Sequence, residues 1–234
     1  MNSGVHAVAA RRVFDGVVLH QDAAVLIDGD KIAAVIPRGD IAGSIPVRDL
    51  PDSAWLAPGF IDIQVNGGGD VLFNDAPTPD TIRAIAAAHR RFGTTALLAT
   101  LISDSREKMV AAVGAAECLA GSEPGVLGIH LEGPFLSPEK PGVHDSGLLR
   151  RPIPEDLALL TAPRKGLTLV TLAPEEVPAA FITKLAAAGV RVSLGHSMAT
   201  YAQTQAAITA GLTGFTHLFN AMRPLESREP GPIA

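Results

Sequence analysis

The sequence predicts an α/β fold with a parallel sheet, and three observations support this prediction. From Phe60 onward, short segments rich in Val, Ile and Leu alternate with Ala-rich segments. Each of the Ala-rich segments ends in glycine, which is typical of the C-terminus of a helix. The apolar segments recur at intervals of about 20–40 residues, which is long enough for the crossover that joins parallel strands.

The first part of the chain has a different pattern. Residues 5–56 contain short apolar runs separated by the turn signals Asp15-Gly16 and Asp28-Gly29. β-branched residues on both sides of the second turn predict a hairpin in a small antiparallel sheet. We therefore divide the chain into a sheet segment, 1–56, and an α/β domain, 57–234.

The α/β domain contains six predicted strands, at 59–65, 95–101, 126–132, 167–173, 190–195 and 213–217. Predicted helices include 78–93, 105–121, 178–189 and 199–211. This rhythm alone does not distinguish a closed barrel from an open doubly wound sheet. No G-x-G-x-x-G motif follows the first strand, so a dinucleotide-binding fold has little support. A barrel of the TIM type has eight such units.

Composition and charge exclude several classes of protein. The chain of 234 residues has a net charge of −5 and no Lys/Arg-rich stripe, which argues against a nucleic-acid partner. No apolar run approaches the ~20 residues of a membrane span, and the N-terminus lacks the pattern of a signal peptide. We therefore expect a cytoplasmic protein without a membrane partner. The single cysteine, Cys118, excludes an internal disulfide, and we expect it to be buried in a helix.

Three side chains that can bind a metal lie at the ends of predicted strands. Glu132 ends GVLGIHLE, His196 follows GVRVSLG, and His217 ends LTGFTH. The carboxyl ends of parallel strands meet at one rim, which carries the ligand site in such folds, so we expect these side chains to converge. One carboxylate and two imidazoles, with a water, suit a hydrolytic Zn²⁺ site. The alternative is that each histidine is structural, which is the weaker interpretation for three equivalent positions.

Two more histidines lie near Glu132 in the sequence. His130 precedes it by two residues and shares its side of the strand, where it either supports the site or packs in the core. His144 lies in the Pro- and Gly-rich loop LSPEKPGVHDSG, and a loop over the rim can deliver a substrate contact. The sequence has no Gly-x-Ser-x-Gly motif and no Walker loop, so a serine hydrolase and a P-loop enzyme both lack their key residues.

Four segments closely resemble the N-acetylglucosamine-6-phosphate deacetylases, a family of the amidohydrolase superfamily. They are APGFIDIQVNGGGDVLFND, GIHLEGPFLSPEKPGVHD, SLGHSMATYAQTQAAITAGLTGFTHLFNAM and PLESREPG. The combination of HLEGPF with THLFNAM is specific, and the match runs in order along essentially the whole chain. The resemblance implies a metal-dependent amidohydrolase with a TIM-type (β/α)8 barrel. About six of the eight units are present here, preceded by part of a small β-sandwich that forms from both chain ends.

The resemblance also implies roles for individual residues. Glu132, His196 and His217 match the family's metal ligands, and His144 matches the histidine that polarises the substrate amide. Arg228, in SREPG, matches a phosphate contact, for which a guanidinium group is geometrically suited. Further substrate contacts are implied for Val143, Asn220 and Ala221.

Gln64 and Asn66 stand where many amidohydrolases carry His-x-His on the first strand of the barrel. The pair marks the position of a second metal in those relatives. Because both imidazoles are missing here, we expect one divalent metal ion, with Zn²⁺ as the first choice and Fe²⁺ or another divalent ion as alternatives.

The resemblance implies deacetylation of N-acetylglucosamine 6-phosphate to glucosamine 6-phosphate and acetate, in amino-sugar catabolism. Family members continue past REPG with an Asp that acts as general base and acid, so we expect a C-terminally truncated chain with doubtful activity of its own. The alternatives are an amidohydrolase acting on another N-acyl substrate and a non-catalytic fragment that binds a metal and a sugar phosphate. Full-length members commonly pair, which predicts a homodimer for a full-length chain.

Overall fold

The computed structural model describes residues 4–234, which form two compact units. The first unit ends at Gly59, and the second is Phe60–Ala234. The strands of the first unit are β1 (His6–Phe14), β2 (Leu19–Asp28), β3 (Lys31–Pro37), β4 (Val47–Asp49) and β5 (Trp55–Leu56). They form one sheet in the order β3-β2-β1-β4, with β5 also beside β1.

The sheet of the first unit is mixed, which corrects the prediction of an antiparallel sheet. The predicted hairpin is confirmed, since β2 and β3 pair antiparallel across the turn after Asp28. However, β4 and β5 both run parallel to β1. The connection between β3 and β4 spans residues 38–46, which is long enough to return the chain to the start of β1. The turn signal Asp28-Gly29 predicts only the pairing of β2 with β3, the two strands that flank it.

The second unit contains the predicted parallel sheet. The elements are β6 (Phe60–Val65), β7 (Gly67–Gly68), β8 (Val71–Leu72), α1 (Pro79–Arg90), β9 (Thr94–Ile102), α2 (Arg106–Leu119), β10 (Val126–Glu132), α3 (Pro154–Thr161), β11 (Leu167–Leu172), α4 (Ala179–Ala187), β12 (Arg191–Leu194), α5 (Tyr201–Thr209) and β13 (Gly214–Phe215). The strands of the parallel sheet lie in the order β6-β9-β10-β11-β12-β13, and every pair along the described chain is parallel. A short hairpin, β7 and β8, follows β6.

This arrangement confirms a partial barrel of the TIM type, because six parallel strands follow one another in chain order and helices connect them. The predicted helix ends are confirmed as well. Gly121, Gly189 and Gly211 each follow a helix within two residues and have φ of +77°, +84° and +113°. Helix α3 is an addition that the Ala-rich segments did not reveal. Among the helices of residues 4–234, none is both long and apolar enough to cross a bilayer.

The core of the second unit lies between the sheet and its helices. Helix α2 faces it with Met109, Ala112, Ala116 and Leu119, which recur at helical spacing and are all buried. Cys118 is exposed, so the prediction that it is buried is wrong. The reason is the helical period, since Cys118 lies on the side of α2 turned away from that buried face.

A buried ion cluster joins helix α3 to its surroundings. The Asp156 side chain is fully buried and accepts hydrogen bonds from Arg106 (2.9 Å), from both terminal nitrogens of Arg150 (2.5 and 2.8 Å) and from the Ile153 backbone (2.9 Å). Burial alone would raise the pKa of Asp156, but the bonds from Arg150 and Ile153 and the charges of both arginines lower it.

We expect Asp156→Asn to destabilise the protein by about 2 kcal/mol at neutral pH, because two arginine side chains that are only 33% and 31% exposed lose the charge that pairs with them. A lowered pKa means that the carboxylate stabilises the fold above the unfolded pKa of about 3.9 and loses this effect as the pH falls through the folded value. The deficit of the variant should therefore shrink in acid. Urea unfolding followed by circular dichroism, near pH 7 and near pH 3, measures both effects.

Asp80→Asn is the matched control for this prediction. The Asp80 side chain is 92% exposed and pairs with Arg83 on the surface of helix α1, so its loss should cost less than about 1 kcal/mol. Equal costs for the two variants, or an Asp156→Asn deficit that persists in acid, would contradict the assignment.

Candidate functional site

The three predicted strand-end residues meet in space. Glu132 Oε1 lies 2.9 Å from His217 Nε2 and 3.2 Å from His196 Nε2. One potential ligand atom from each residue falls within 4.8 Å of the others. Glu132 and His196 are buried, while the His217 side chain is 35% exposed. The residues therefore form a compact cluster with one side open.

Backbone geometry at the strand ends positions the two imidazoles. Glu132 is the last residue of β10, and His196 and His217 lie two residues beyond β12 and β13. Both histidines have left-handed backbones, with φ of +50° and +57°. Non-glycine residues rarely adopt this conformation, and it is concentrated at functional sites, where the surrounding structure holds it in place.

The tautomer of His196 follows from its hydrogen bonds. Nδ1 lies 2.8 Å from the Lys140 carbonyl oxygen, which can only accept, so Nδ1 carries a proton. Burial alone would lower the pKa of His196, but the bonds to Glu132 and to the Lys140 carbonyl raise it. In the neutral ring, the lone pair of Nε2 points at Glu132 Oε1. A proton or a cation between these two atoms would relieve their repulsion, which is the usual arrangement for a histidine that binds a metal.

Gln64 orients the carboxylate of Glu132. Its side-chain amide donates to Glu132 Oε2 at 2.8 Å, which leaves Oε1 facing both imidazoles. Burial would raise the pKa of Glu132, but the bond from His196 and the neighbouring imidazoles lower it to about 2, so the group is a carboxylate at neutral pH. Gln64 therefore contacts the cluster directly. Within residues 4–234, the cluster of Glu132, His196 and His217 is the one group of three or more His, Cys, Asp or Glu side chains close enough to hold an ion.

His144 lies beside the cluster, and its Nε2 atom faces Glu132. The backbone N–H of Ser103 donates to His144 Nδ1 (3.2 Å), and Ser103 Oγ is 2.8 Å from the same atom. Nδ1 is therefore an acceptor, and the neutral ring carries its proton on Nε2, which is 3.8 Å from Glu132 Oε2. Burial lowers the pKa of His144 to about 4, so the ring is neutral at pH 7. A neutral Nε2–H is a hydrogen-bond donor for an amide oxygen.

A cavity opens above the cluster. Its volume of about 530 Å³ lies within the range of small-molecule sites. The structure brings together most of the predicted site residues here, namely Glu132, His196, His217, His144, Val143, Asn220, Ala221, Gln64 and Asn66. Arg228 is exposed and lies outside the described residues that line this cavity.

Sequence reasoning missed three residues in one wall of the cavity. Leu72 and Asn74 line it from the β7–β8 hairpin and its flank, and Ile102 lines it from the end of β9. Asn74 bonds to both the N–H (3.1 Å) and the carbonyl (3.2 Å) of Ile102, which ties the hairpin to that strand. The Gly-rich segment NGGGD is the signal that could have predicted a tight hairpin here.

A parallel α/β barrel with a histidine–carboxylate cluster at the carboxyl ends of its strands has the architecture of the metal-dependent hydrolases. The chain belongs to the amidohydrolase family, whose sequence model matches residues 55–229.

Individual relatives carry the similarity further. An N-acetylgalactosamine-6-phosphate deacetylase of Shewanella sp. (strain ANA-3) is 48% identical over 182 residues, which is 77% of this chain and 46% of that protein. An N-acetylglucosamine-6-phosphate deacetylase of Haemophilus influenzae is 39% identical over 215 residues, covering 91% and 56%. The chain thus spans about half the length of these relatives.

Solved structures agree with this similarity. The crystal structure of N-acetylglucosamine-6-phosphate deacetylase from Pasteurella multocida matches with a TM-score of 0.92 at 36% identity, over 98% of this chain and 61% of that one. The resemblance read from the sequence is confirmed.

Proposed function

We propose that this chain contributes the metal and substrate site of an enzyme that hydrolyses the acetamide of N-acetylglucosamine 6-phosphate to glucosamine 6-phosphate and acetate. The observation that carries the proposal is the cluster of Glu132, His196 and His217 on one side of a cavity that also receives the Nε2–H of His144. The names of the relatives support the substrate class.

The donor set fits one divalent cation. Glu132, His196 and His217 would hold it, and Zn²⁺ is the ion that we propose, with Fe²⁺ or another divalent ion as alternatives. A bound divalent cation supplies Lewis-acid polarisation of a carbonyl and makes water more acidic. Gln64 donates to Glu132 Oε2 and so supports the first ion. Neither Gln64 nor Asn66 offers the imidazole that stands at this position in relatives with a second metal.

The chain's own residues then act on the substrate. His144 Nε2–H donates to the amide oxygen, and Ser103 keeps this ring in the required tautomer. The Lys140 carbonyl holds His196, and Gln64 holds Glu132, so that both side chains are oriented before substrate binds. Val143, Asn220 and Ala221 contact the sugar, and Arg228 contacts the 6-phosphate.

N-acetylgalactosamine 6-phosphate is the second candidate substrate. It differs from the first only in the configuration at one sugar carbon, and the relative that is 48% identical carries this substrate in its name. The two sugars share the acetamide and the 6-phosphate, so the cluster and His144 would serve both.

Three further parts of the proposal do not depend on the cluster. We propose a cytoplasmic location, a homodimer for a full-length chain, and a division of labour in which 57–234 is catalytic and 1–56 belongs to the small β-sandwich.

A substrate panel tests the proposal. We expect the Zn²⁺-loaded chain to bind N-acetylglucosamine 6-phosphate in calorimetry and to bind N-acetylglucosamine without its phosphate much more weakly. The galacto epimer in the same panel decides between the two sugars. His144→Gln should keep the metal and weaken amide recognition, whereas the exposed loop variant Glu139→Gln should change neither. Equal binding with and without the phosphate would contradict the proposed substrate class.

An acetate assay on the same samples separates catalysis from binding. A non-catalytic fragment predicts that the sugar phosphate binds and that no acetate appears even with saturating metal. Slow acetate release that depends on Zn²⁺ and on His144 supports a hydrolase.

A further inference from the structure

A series of buried side-chain hydrogen bonds runs from strand to strand across the parallel sheet, beneath the cluster. It links His130 Nε2 to Thr171 Oγ1 (2.7 Å), Thr171 to Thr216 Oγ1 (2.7 Å), and Thr216 to Ser193 Oγ (2.8 Å). All four residues are buried. Below, this set is called the interior hydroxyl chain. It has three contacts and three hydroxyl protons, so every contact is satisfied when each proton points toward His130.

The interior hydroxyl chain connects the strands that carry the three cluster residues. His130 lies two residues before Glu132 on β10, and Thr171 is directly opposite Glu132 in the register of β10 and β11. Ser193 lies on β12, three residues before His196. Thr216 directly precedes His217. The distance from Glu132 to each histidine therefore depends on contacts made within this set.

The pairing of β12 with β13 before His217 is short. Strand β13 pairs with β12 through only two residues, Gly214 and Phe215. One more backbone bond follows, from Thr216 N–H to the Leu194 carbonyl at 2.7 Å. The side chain of Thr216 is thus the last buried contact before the partly exposed imidazole of His217.

A glycine makes the close approach possible. A Cβ at Gly195 would lie 2.6 Å from Thr171 Cγ2 and 2.9 Å from Thr216 Cβ, both too short for real contacts. Because Gly195 has no side chain, the two threonines can meet across it, directly before His196. The packing that joins Thr171 to Thr216 therefore also fixes the backbone that leads into His196.

We propose that Thr216 is a positioning residue, which acts through the interior hydroxyl chain to fix His217 relative to Glu132 and His196. This inference rests on the proposed function, because it assumes that the three residues bind a metal. It goes further than the proposed function, because it assigns control of the distances among the three ligands to a residue that contacts neither metal nor substrate.

The test is the affinity of the 234-residue chain for Zn²⁺ alone, measured by competition with a chromogenic chelator. Thr216→Val keeps the branched shape and removes the hydroxyl, and we expect Zn²⁺ to bind about 10-fold more weakly, the lower end of the loss that follows removal of a group bonded directly to a ligand. Thr216→Ser keeps the hydroxyl and should bind nearly as the parent does. The visible spectrum of the Co²⁺-loaded chain should change in Thr216→Val, since the ligand geometry relaxes.

Thr204→Val is the matched control. Thr204 is also buried, and its hydroxyl donates one hydrogen bond, to the Thr200 carbonyl at 2.9 Å in helix α5. We expect this variant to melt at a lower temperature without metal but to bind Zn²⁺ and Co²⁺ as the parent does. A similar loss of affinity in Thr204→Val would overturn the proposal, since it would show a general effect of stability.

The remaining outcomes are also decisive. If the parent binds Zn²⁺ and Thr216→Val binds it equally well, the positioning role is overturned and the proposed function stands. If the parent binds no divalent metal, the proposed function fails and the inference fails with it. If Thr216→Val does not fold, Ser193→Ala tests the positioning role instead. This smaller change removes the hydroxyl at the end of the interior hydroxyl chain that is farthest from His130. Weaker binding by Ser193→Ala supports the proposal, and unchanged binding overturns it.

Discussion

Glu132→Gln should lose its divalent metal, with affinity reduced by more than the ~100-fold that follows the loss of an outer partner. Glu132 Oε1 is the atom that both imidazole Nε2 atoms face, at 2.9 and 3.2 Å. The substitution keeps the shape of the side chain but removes its negative charge. The new amide oxygen can still accept from Gln64, which turns the new NH2 group toward the two imidazole Nε2 atoms. The attraction for a cation is therefore lost.

Metal content after dialysis measures this effect. The parent should retain one equivalent of Zn²⁺ per chain and Glu132→Gln almost none. Glu139→Gln is the control, because Glu139 is an exposed carboxylate in the loop after the same strand. Glu132→Gln that keeps a full equivalent would contradict the assignment of the ligands. Two equivalents on the parent would contradict the proposal of a single ion.

The second large effect concerns rate. Deacetylation needs a group that takes a proton from water and gives one to the leaving amine. Among the described residues that line the cavity, Glu132 is the only carboxylate, and we assign it to the metal. His144 Nδ1 accepts from Ser103, and its Nε2 is already a donor, so this ring does not serve as the base. We therefore expect the 234-residue chain to release acetate about 10²- to 10⁴-fold more slowly than the Haemophilus influenzae relative, which is the usual contribution of such a group.

Adding formate sharpens this experiment. A small carboxylate that diffuses into the cavity can replace the missing group, so acetate release should rise with formate concentration and should not rise with chloride at equal ionic strength. Acetate release by the chain alone at the rate of the relative would contradict this prediction. Such a result would point to a base among the residues already present, and the dependence of the rate on pH would then identify it.

Much of the fold could be predicted because its signals are local. The apolar strands and the glycines after the helices follow from periodicity and from the backbone freedom of glycine, which need no knowledge of distant residues. The convergence of Glu132, His196 and His217 was also predictable, because parallel strands with helical crossovers bring all their carboxyl ends to one rim. The prediction of an antiparallel sheet in the first unit was wrong because the local signal covers only part of that sheet. The hairpin at Asp28 indicates two antiparallel strands but does not reveal the parallel partners of β1.

The chemical identity of the site was thus determined by the sequence, in the form of one carboxylate and two imidazoles at equivalent strand ends. Only the tertiary structure decided how those groups are held and which protons they carry. Gln64 and Glu132 are 68 residues apart in the chain, and Ser103 and His144 are 41 apart. Thr171 and Thr216, which are 45 apart, form the bond beneath the cluster. Such contacts depend on strand register and on tenths of an ångström in side-chain placement, and neither is encoded in the spacing of residues along the chain.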